Sequence, residues 1–282
     1  MSLAVVEGTG ARERKHRPAY LVFCDVDETL IDCKSMFEFL RFQLVRRYGA
    51  DGEERYRRIA GELRRRSADG APRERVNREY YRAYAGESVA EMTALGREWF
   101  ALASADPGFF ISETVAALAR HRAAGAEVVL VSGSFLPCLA PVAERVGAVH
   151  VLCTSPLVVD GRYTGEVLEP VIGEGKRSVA LRMLAEHPGV NPQDCFAYGD
   201  HPSDFPLLDC VGNPRAVGYD PAVREYLARR REQERPTRSG SGSRSGFGSG
   251  SGSGSGCALA CWSMGRDELS ETCSGDCALP LG

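Results

Sequence analysis

The chain has 282 residues, of which 43% are hydrophobic and 26% charged, and its formal net charge is -3. These values are typical of a globular protein and exclude collagen-like, wholly disordered and small disulfide-stabilised classes. No apolar run approaches the roughly 18 residues of a membrane-spanning helix, and the first twenty residues lack the apolar segment of a signal peptide. We therefore expect a cytoplasmic protein that binds neither membrane nor nucleic acid; its oligomeric state is not indicated.

Three continuous apolar runs are predicted to be buried strands of a parallel sheet. They cover residues 20–24, 126–131 and 195–198, and they end at Asp25, Ser132 and Gly199-Asp200 respectively. Because the carboxyl ends of parallel strands meet at one edge of a sheet, we expect these polar residues to lie close together.

The remaining segments favour helices and one hairpin. Residues 34–110 have apolar residues at helical spacing and few strand formers, which indicates an inserted helical module. A helix is predicted from Ser112, as its N-cap, to Ala124. Asp160-Gly161 between two strand-like runs predicts a hairpin. Further helices are expected at 176–186 and at 221–232, the latter with Pro221 near its start.

The carboxylates after the first and third strands favour phosphoryl chemistry with a hard cation. Asp25 and Asp27 stand two residues apart, so one can attack phosphorus while the other handles the proton of the leaving oxygen. Asp200 and Asp204 bring further oxygen ligands, and such a set favours Mg²⁺. His201 is an alternative metal ligand, although a lone His beside carboxylates is more often a neighbouring residue. Lys176 and the Ser132-Gly133-Ser134 turn offer an ammonium, hydroxyls and backbone donors to a phosphate.

These motifs together resemble the four-motif signature of the haloacid dehalogenase (HAD) superfamily. In chain order they are Asp25-Val-Asp-Glu-Thr29, Ser132-Gly-Ser134, Gly175-Lys176 and Gly199-Asp200 followed by Ser203-Asp204. More narrowly, they are similar to subfamily IB, the phosphoserine phosphatase-like branch, in which a helical cap lies between the first two motifs. The resemblance covers about residues 19–232.

The resemblance implies an α/β fold: a Rossmann-like parallel sheet core, an inserted helical cap of the C1 type and a disordered C-terminal tail. The expected organisation is a disordered leader at 1–18, the core at 19–33 and 111–235, the cap at 34–110, a Gly/Ser linker at 236–256 and a Cys-rich tail at 257–282.

The resemblance also implies the roles of the acidic residues. Asp25 is expected to be the nucleophile that forms an aspartyl-phosphate, and Asp27 the general acid and then base. Asp25, the backbone carbonyl of Asp27 and Asp200 are expected to hold Mg²⁺, with Asp204 in support. The intact Asp27 argues against dehalogenase chemistry, which needs neither this residue nor the metal.

Phosphate binding is expected from Ser132, Gly133 and Lys176. Lys34 is a departure from the family pattern, because phosphoserine phosphatases carry a Glu at this place that meets the ammonium group of the substrate. A positive charge there predicts a small phosphate ester with another negative or neutral polar group; the alternative is a solvent-exposed Lys at the mouth of the cap.

Ten Cys divide into six single residues in the body and four in the tail, namely Cys257, Cys261, Cys273 and Cys277. A reducing compartment keeps the six as small buried residues. The tail Cys have three interpretations: no joint role, a disulfide hairpin or Zn²⁺ site, or the core of a modified peptide on a flexible linker.

The sequence thus predicts a Mg²⁺-dependent phosphatase that hydrolyses a small-molecule phosphate monoester. Two alternatives stay open: phosphoryl transfer to an acceptor other than water, and a phosphatase-like scaffold whose functional element is the tail.

Overall fold

A computed structural model describes residues 18–233 of the protein. The predicted leader lies almost entirely outside the described residues, and the linker and the Cys-rich tail lie wholly outside them. None of the helices in the described part is both long enough and apolar enough to cross a membrane.

The core is a five-stranded parallel sheet with the strand order β3-β2-β1-β6-β7. Its strands are β1 (Leu21–Asp25), β2 (Glu127–Ser132), β3 (His150–Cys153), β6 (Phe196–Gly199) and β7 (Asn213–Ala216). A separate antiparallel hairpin consists of β4 (Ser155–Val159) and β5 (Arg162–Glu169). The sheet confirms the predicted α/β class.

Both faces of the central strand β1 are buried, so the sheet is covered on both sides. Its side chains alternate between the two faces, and both sets are buried: Val22 and Cys24 in one apolar cluster, Leu21 and Phe23 in the other. The chain continues from β1 to β2 on one side, while β6 pairs on the other. This reversal of strand order makes a crevice at the carboxyl ends of β1 and β6, where open α/β sheets bind ligands.

Helices cover both faces of the sheet. On one face lie α5 (Ser112–Ala123) and α6 (Leu136–Val146); on the other lie α7 (Glu174–Glu186), α8 (Phe205–Leu208) and α9 (Pro221–Gln233). Apolar residues of α7, such as Val179 and Met183, are buried with those of α9, such as Val223 and Leu227. The sheet is thus the middle of three layers.

Four helices form an insertion between β1 and α5. They are α1 (Ser35–Tyr48), α2 (Ala50–Ala68), α3 (Arg73–Tyr81) and α4 (Val89–Ala103). The chain enters and leaves the insertion at adjacent points, because Asp32 donates its N–H to the carbonyl of Phe109 and Ile111 donates to that of Leu30. The exact domain boundaries at 34 and 110 stay a prediction.

The insertion contacts the core through a close approach of α4 and α6. A Cβ on Gly96 would lie 2.0 Å from the carbonyl oxygen of Pro137, too close for any side chain. We therefore expect Gly96→Ala to lower the free energy of unfolding by about 1–3 kcal/mol, measured by urea denaturation. Gly61→Ala in α2 is the matched control, because a Cβ there meets nothing within 4 Å; it should raise stability by up to about 1 kcal/mol. Equal effects of the two substitutions would contradict this packing.

The predicted elements agree with the structure to within about two residues at their ends, but one predicted N-cap is wrong and four elements were not predicted. Ser112 is the first residue of α5 and not its N-cap, which is Ile111; the backbone of Ile111 is fixed instead by its bond to the Leu30 carbonyl. The hairpin is confirmed: Asp160 and Gly161 have φ of +48° and +72°, as a tight hairpin turn requires. The strands β3 and β7 and the helices α6 and α8 were not predicted.

All six body cysteines are free thiols. Four of them, Cys24, Cys138, Cys195 and Cys210, are buried as expected, while Cys33 and Cys153 are partly exposed.

Candidate active site

The acidic residues predicted to act together meet at the carboxyl ends of β1 and β6. Asp25 is the last residue of β1, and Asp200 directly follows β6. One carboxylate oxygen from each of Asp25, Asp200 and Asp204 lies within 4.8 Å of the other two. Thr29 fixes this arrangement, because its hydroxyl donates to Asp200 Oδ1 at 2.6 Å and lies 3.4 Å from Asp25 Oδ2.

Lys176 is placed at the centre of the acidic cluster by the first turn of α7. Its Nζ donates to Asp25 Oδ1 and to Asp204 Oδ1, each at 2.6 Å, and the side chain is only 5% exposed. Burial alone disfavours the charged form, but the two carboxylates outweigh it and hold the pKa of Lys176 above its ordinary value. Two of the three N–H bonds of the ammonium are used in this way.

Asp204 is held by the backbone as well as by Lys176. Its Oδ2 accepts hydrogen bonds from the backbone N–H groups of Asp200 and His201 at 3.2 and 3.1 Å. The carboxylate therefore fixes the loop that carries Asp200, so that Asp204 acts on the site by positioning as well as by charge.

Asp27 lies in the same cavity but outside the three-carboxylate cluster. Burial raises the pKa of Asp27 to about 6, opposed mainly by hydrogen bonding from Ser35 at the start of α1. Its Oδ1 is buried without a hydrogen-bond partner among the described residues. Such an oxygen can exchange a proton with a ligand that enters the cavity.

The Ser132-Gly133-Ser134 turn follows β2 and is held in place from several sides. Ser132 Oγ accepts a hydrogen bond from the backbone N–H of Ser134 at 3.0 Å. The carbonyl of Gly133 accepts from Asn77 Nδ2 and from the Tyr81 hydroxyl, both at 2.9 Å. These two donors belong to α3 of the insertion, so the insertion itself orients the turn.

Gly133 has no side chain, and any other residue at this position would place its Cβ in the cavity. A Cβ at this position would lie 2.8 Å from Cγ1 of Ile172, which also lines the cavity. The absence of a side chain therefore lets a ligand approach the backbone of the turn.

These residues surround one cavity of about 110 Å³. The charged residues that line it are Asp25, Asp27, Glu28, Asp200, Lys34, Arg73 and Lys176. Four carboxylates and three basic groups give the lining a net negative charge, which would repel a phosphate dianion unless a further cation were bound. An all-oxygen donor set of converging carboxylates is what Mg²⁺ prefers, so the residues present fit this ion.

Two basic residues of the insertion stand at the cavity with different partners. Lys34 forms an exposed ion pair with Glu28, so its charge is largely matched. Arg73, at the start of α3, has no ion pair with a carboxylate of the described residues; its Nη1 lies 2.9 and 3.0 Å from the ring nitrogens of His201. His201 Nδ1 also accepts from the N–H of Ser203. His201 therefore lines the cavity with its ring nitrogens engaged, and its interpretation as a neighbouring residue stays a prediction.

Many of the other Arg residues of the insertion pair with acids on its surface. Examples are Arg41 with Glu53 and Arg66 with Glu62 and Glu79. Most of the Arg-rich surface is thus a solvated helix face, and Arg73 is the member that reaches the cavity.

Every site residue predicted from the sequence lies at this cavity or directly behind it. The sequence did not reveal the residues that orient these side chains. Thr29 belonged to the first motif without an assigned role, and Ser35, Arg73, Asn77 and Tyr81 were not singled out. The last three lie about 50 residues from the motif, in a segment where Arg and Tyr recur. No spacing in the sequence distinguishes them.

Comparisons with known proteins agree with this geometry. The model of the haloacid dehalogenase-like hydrolase family matches residues 22–209. A protein of Mycobacterium tuberculosis described as a probable phosphatase is 34% identical over 158 residues, which are 56% of this chain and 54% of the relative. A phosphoserine phosphatase of the same organism is 31% identical over 222 residues, covering 75% of this chain and 68% of the relative.

A solved structure shares the fold. A protein of unknown function from Bordetella pertussis superposes with a TM-score of 0.66 at 29% identity, over 76% of this chain and 96% of that one. The chain thus spans about half the length of the first of these relatives and nearly all of the solved structure.

Proposed function

Because the chain belongs to the haloacid dehalogenase-like hydrolase family, we propose that it hydrolyses a small phosphate monoester with Mg²⁺ as its cofactor. One observation supports this most: Asp25, Asp27 and Lys176 line a single cavity together with the Ser132-Gly133 turn. The cavity holds a nucleophile, a proton donor and phosphate-binding groups within reach of one ligand.

In the first step, a carboxylate oxygen of Asp25 attacks phosphorus, and the bond from phosphorus to the ester oxygen breaks. The leaving oxygen takes its proton from Asp27, whose buried Oδ1 has no partner among the described residues. The products of this step are the free alcohol and an aspartyl-phosphate at Asp25.

In the second step, water attacks phosphorus and gives its proton to the carboxylate of Asp27. The bond between phosphorus and the Asp25 oxygen breaks, which releases phosphate and restores both side chains. The same carboxyl group thus donates and then accepts one proton, as a hydrolysis through a covalent intermediate requires.

The phosphoryl oxygens are bound by Ser132, by the backbone at Gly133 and by Lys176. Lys176 has one N–H bond left after its two carboxylate partners, and this bond can donate to a phosphoryl oxygen. Asp25, the Asp27 backbone carbonyl and Asp200, with Asp204 in support, would hold Mg²⁺, which would supply positive charge to offset the negative charge of the phosphate.

The substrate class follows from the size and charge of the cavity. A cavity of about 110 Å³ suits a small ester, and the insertion at 34–110 serves as its cap, contributing Phe37 and Arg73 to the lining. Arg73 favours a second negative or neutral polar group on the substrate. One relative is a phosphoserine phosphatase. However, Lys34 and Arg73 line the cavity here, and their positive charges disfavour the ammonium group of phosphoserine.

The proposal is tested by measuring substrate consumption and phosphate release on a panel of small phosphate esters, with Mg²⁺ and after its removal. Hydrolysis predicts that the two quantities are equal and that both stop when the metal is removed. Consumption without equal phosphate release would instead indicate transfer to another acceptor. No turnover of any ester, or equal turnover without metal, would overturn the proposal.

Lys34→Glu tests the basis of substrate selection. The substitution places a second carboxylate beside Glu28, so we expect a higher KM for esters with an additional negative charge, by about 10-fold or less because the site is exposed. KM for uncharged esters should change less, and Lys34→Gln should have an intermediate effect. An unchanged ranking of the ester panel would remove Lys34 from the account.

A further inference from the structure

A second group of potential metal ligands lies at the amino-terminal ends of the strands, away from the active site. Glu127 is the first residue of β2, His150 is the first residue of β3, and His187 follows the last residue of α7. One donor atom from each lies within 4.8 Å of the other two. Nothing in the proposed phosphatase chemistry uses these residues.

The fold brings the three residues together on one face of the sheet, where α7 packs. Along β2, Glu127 shares a face with Val129 and Val131, which are buried against α7 and its neighbours. Along β3, His150 likewise shares a face with Leu152, a member of the same apolar cluster. The two side chains therefore leave the sheet on the side where α7 ends at His187.

The distances suit one small cation. His150 Nε2 lies 3.3 Å and His187 Nε2 lies 3.8 Å from the same oxygen, Glu127 Oε2. Ligand atoms bound tetrahedrally at about 2.0–2.1 Å from zinc are separated by about 3.3 Å. Glu127 Oε2 and His150 Nε2 are already at this separation, while His187 Nε2 lies farther out and must move closer to complete the site.

A hydrogen bond prepares His187 to be a ligand. Its Nδ1 lies 2.8 Å from the carbonyl oxygen of Met183, and because a carbonyl only accepts, Nδ1 carries the proton. In the neutral ring the lone pair is then on Nε2, the atom that faces Glu127. This is the orientation of metal-binding histidines, whose other nitrogen donates to an acceptor. The C-terminal end of α7 also favours a positive charge nearby.

From this geometry we infer that Glu127, His150 and His187 bind a Zn²⁺ ion that ties β2, β3 and the end of α7 together. Two imidazoles and one carboxylate form a donor set that suits zinc better than Mg²⁺. The three side chains are 18–25% exposed, so an ion can enter and water can complete the coordination.

The site is separate from the active site. Glu127 and Ser132 are the two ends of β2, so they are five residue steps apart along the strand, or about 16 Å. Along α7, His187 follows Lys176 by eleven residues, which is also about 16 Å. The inference therefore stands whether or not the proposed function is correct.

The test measures zinc bound by the full chain. The protein is stripped with a chelator, incubated with Zn²⁺, desalted and analysed for zinc per chain by emission spectrometry. We expect His187→Gln to bind one zinc fewer than the wild type. The matched control is His121→Gln, which removes a partly buried imidazole bonded to Tyr20 and Tyr198 and should leave the zinc content unchanged. Zinc bound elsewhere in the chain is common to all three proteins and cancels in the comparison.

Two further measurements keep the result interpretable. Glu127→Gln should also lose one zinc, which guards against misfolding of a single variant. In the wild type, the Nε2 resonances of His150 and His187 should shift together on addition of one equivalent of zinc, and far-UV circular dichroism of the metal-free variants should match the wild type. Equal zinc contents of the wild type and both site variants, or unshifted Nε2 resonances, would overturn the inference and leave a Glu-His hydrogen-bond network.

Discussion

Replacing Asp25 by Asn is expected to lower the rate of phosphate release on the order of 10³-fold or more, because the amide cannot attack phosphorus. The change is nearly isosteric, so the fold should survive. Asn still accepts a hydrogen bond from Lys176, which in the wild type lies 2.6 Å from Asp25 Oδ1. The loss should therefore appear in kcat, measured by phosphate release at saturating ester and Mg²⁺.

The matched control for this experiment is Asp160→Asn. Asp160 is exposed in the turn between β4 and β5, with φ of +48°, a conformation that Asn tolerates. The same chemical change should there leave kcat within about twofold of the wild type, as expected for a surface substitution remote from the site. If Asp25→Asn kept most of the wild-type rate, Asp25 would not be the nucleophile.

Replacing Lys176 by Met is expected to lower the free energy of unfolding by about 3–5 kcal/mol in metal-free protein. The reason is that Asp25 and Asp204 would stay buried without the ammonium that lies 2.6 Å from each of them. Methionine fills a similar volume, so the lower free energy of unfolding would reflect the lost charge and not a new cavity. Urea denaturation at neutral pH gives the change directly, provided that the slope of the transition stays constant.

Lys34→Met removes the same charge from an exposed pair and serves as the control. Lys34 and Glu28 are 52% and 47% exposed, and exposed pairs contribute at most about 1 kcal/mol. Added Mg²⁺ should recover part of the stability lost in Lys176→Met, since a cation again offsets the buried carboxylates. A loss no larger than that of Lys34→Met would contradict the central position of Lys176 in the cluster.

The sequence was sufficient to predict the sheet class and the polar residues that meet at the carboxyl ends of its strands, and the reasons are physical. The apolar runs before Asp25, Ser132 and Asp200 are typical of buried strands, and parallel strands bring their carboxyl ends together. Residues at those ends therefore meet even though 175 positions separate Asp25 from Asp200. The burial of a strand and the polar residue at its carboxyl end both leave a short local pattern that can be recognised in a single sequence.

The residues that orient the site depend on packing between distant segments, which sequence patterns do not reveal. Asn77 and Tyr81 hold the Gly133 carbonyl only because α3 lies against the turn. Arg73 differs from the other Arg residues of the insertion by its place at the cavity beside His201, which its sequence context does not reveal. The cluster of Glu127, His150 and His187 was missed for the same reason, since its members come from two strands and a helix end.

In the proposed mechanism, the phosphoryl group passes through a covalent bond to Asp25. The most direct measurement mixes the Mg²⁺-loaded protein with excess ester, quenches with acid within one turnover and maps the modified peptide by mass spectrometry. We expect one phosphoryl group on Asp25 in the wild type and none in Asp25→Asn. Ester hydrolysis by the wild type with no phosphorylated Asp25 under these conditions would contradict this mechanism.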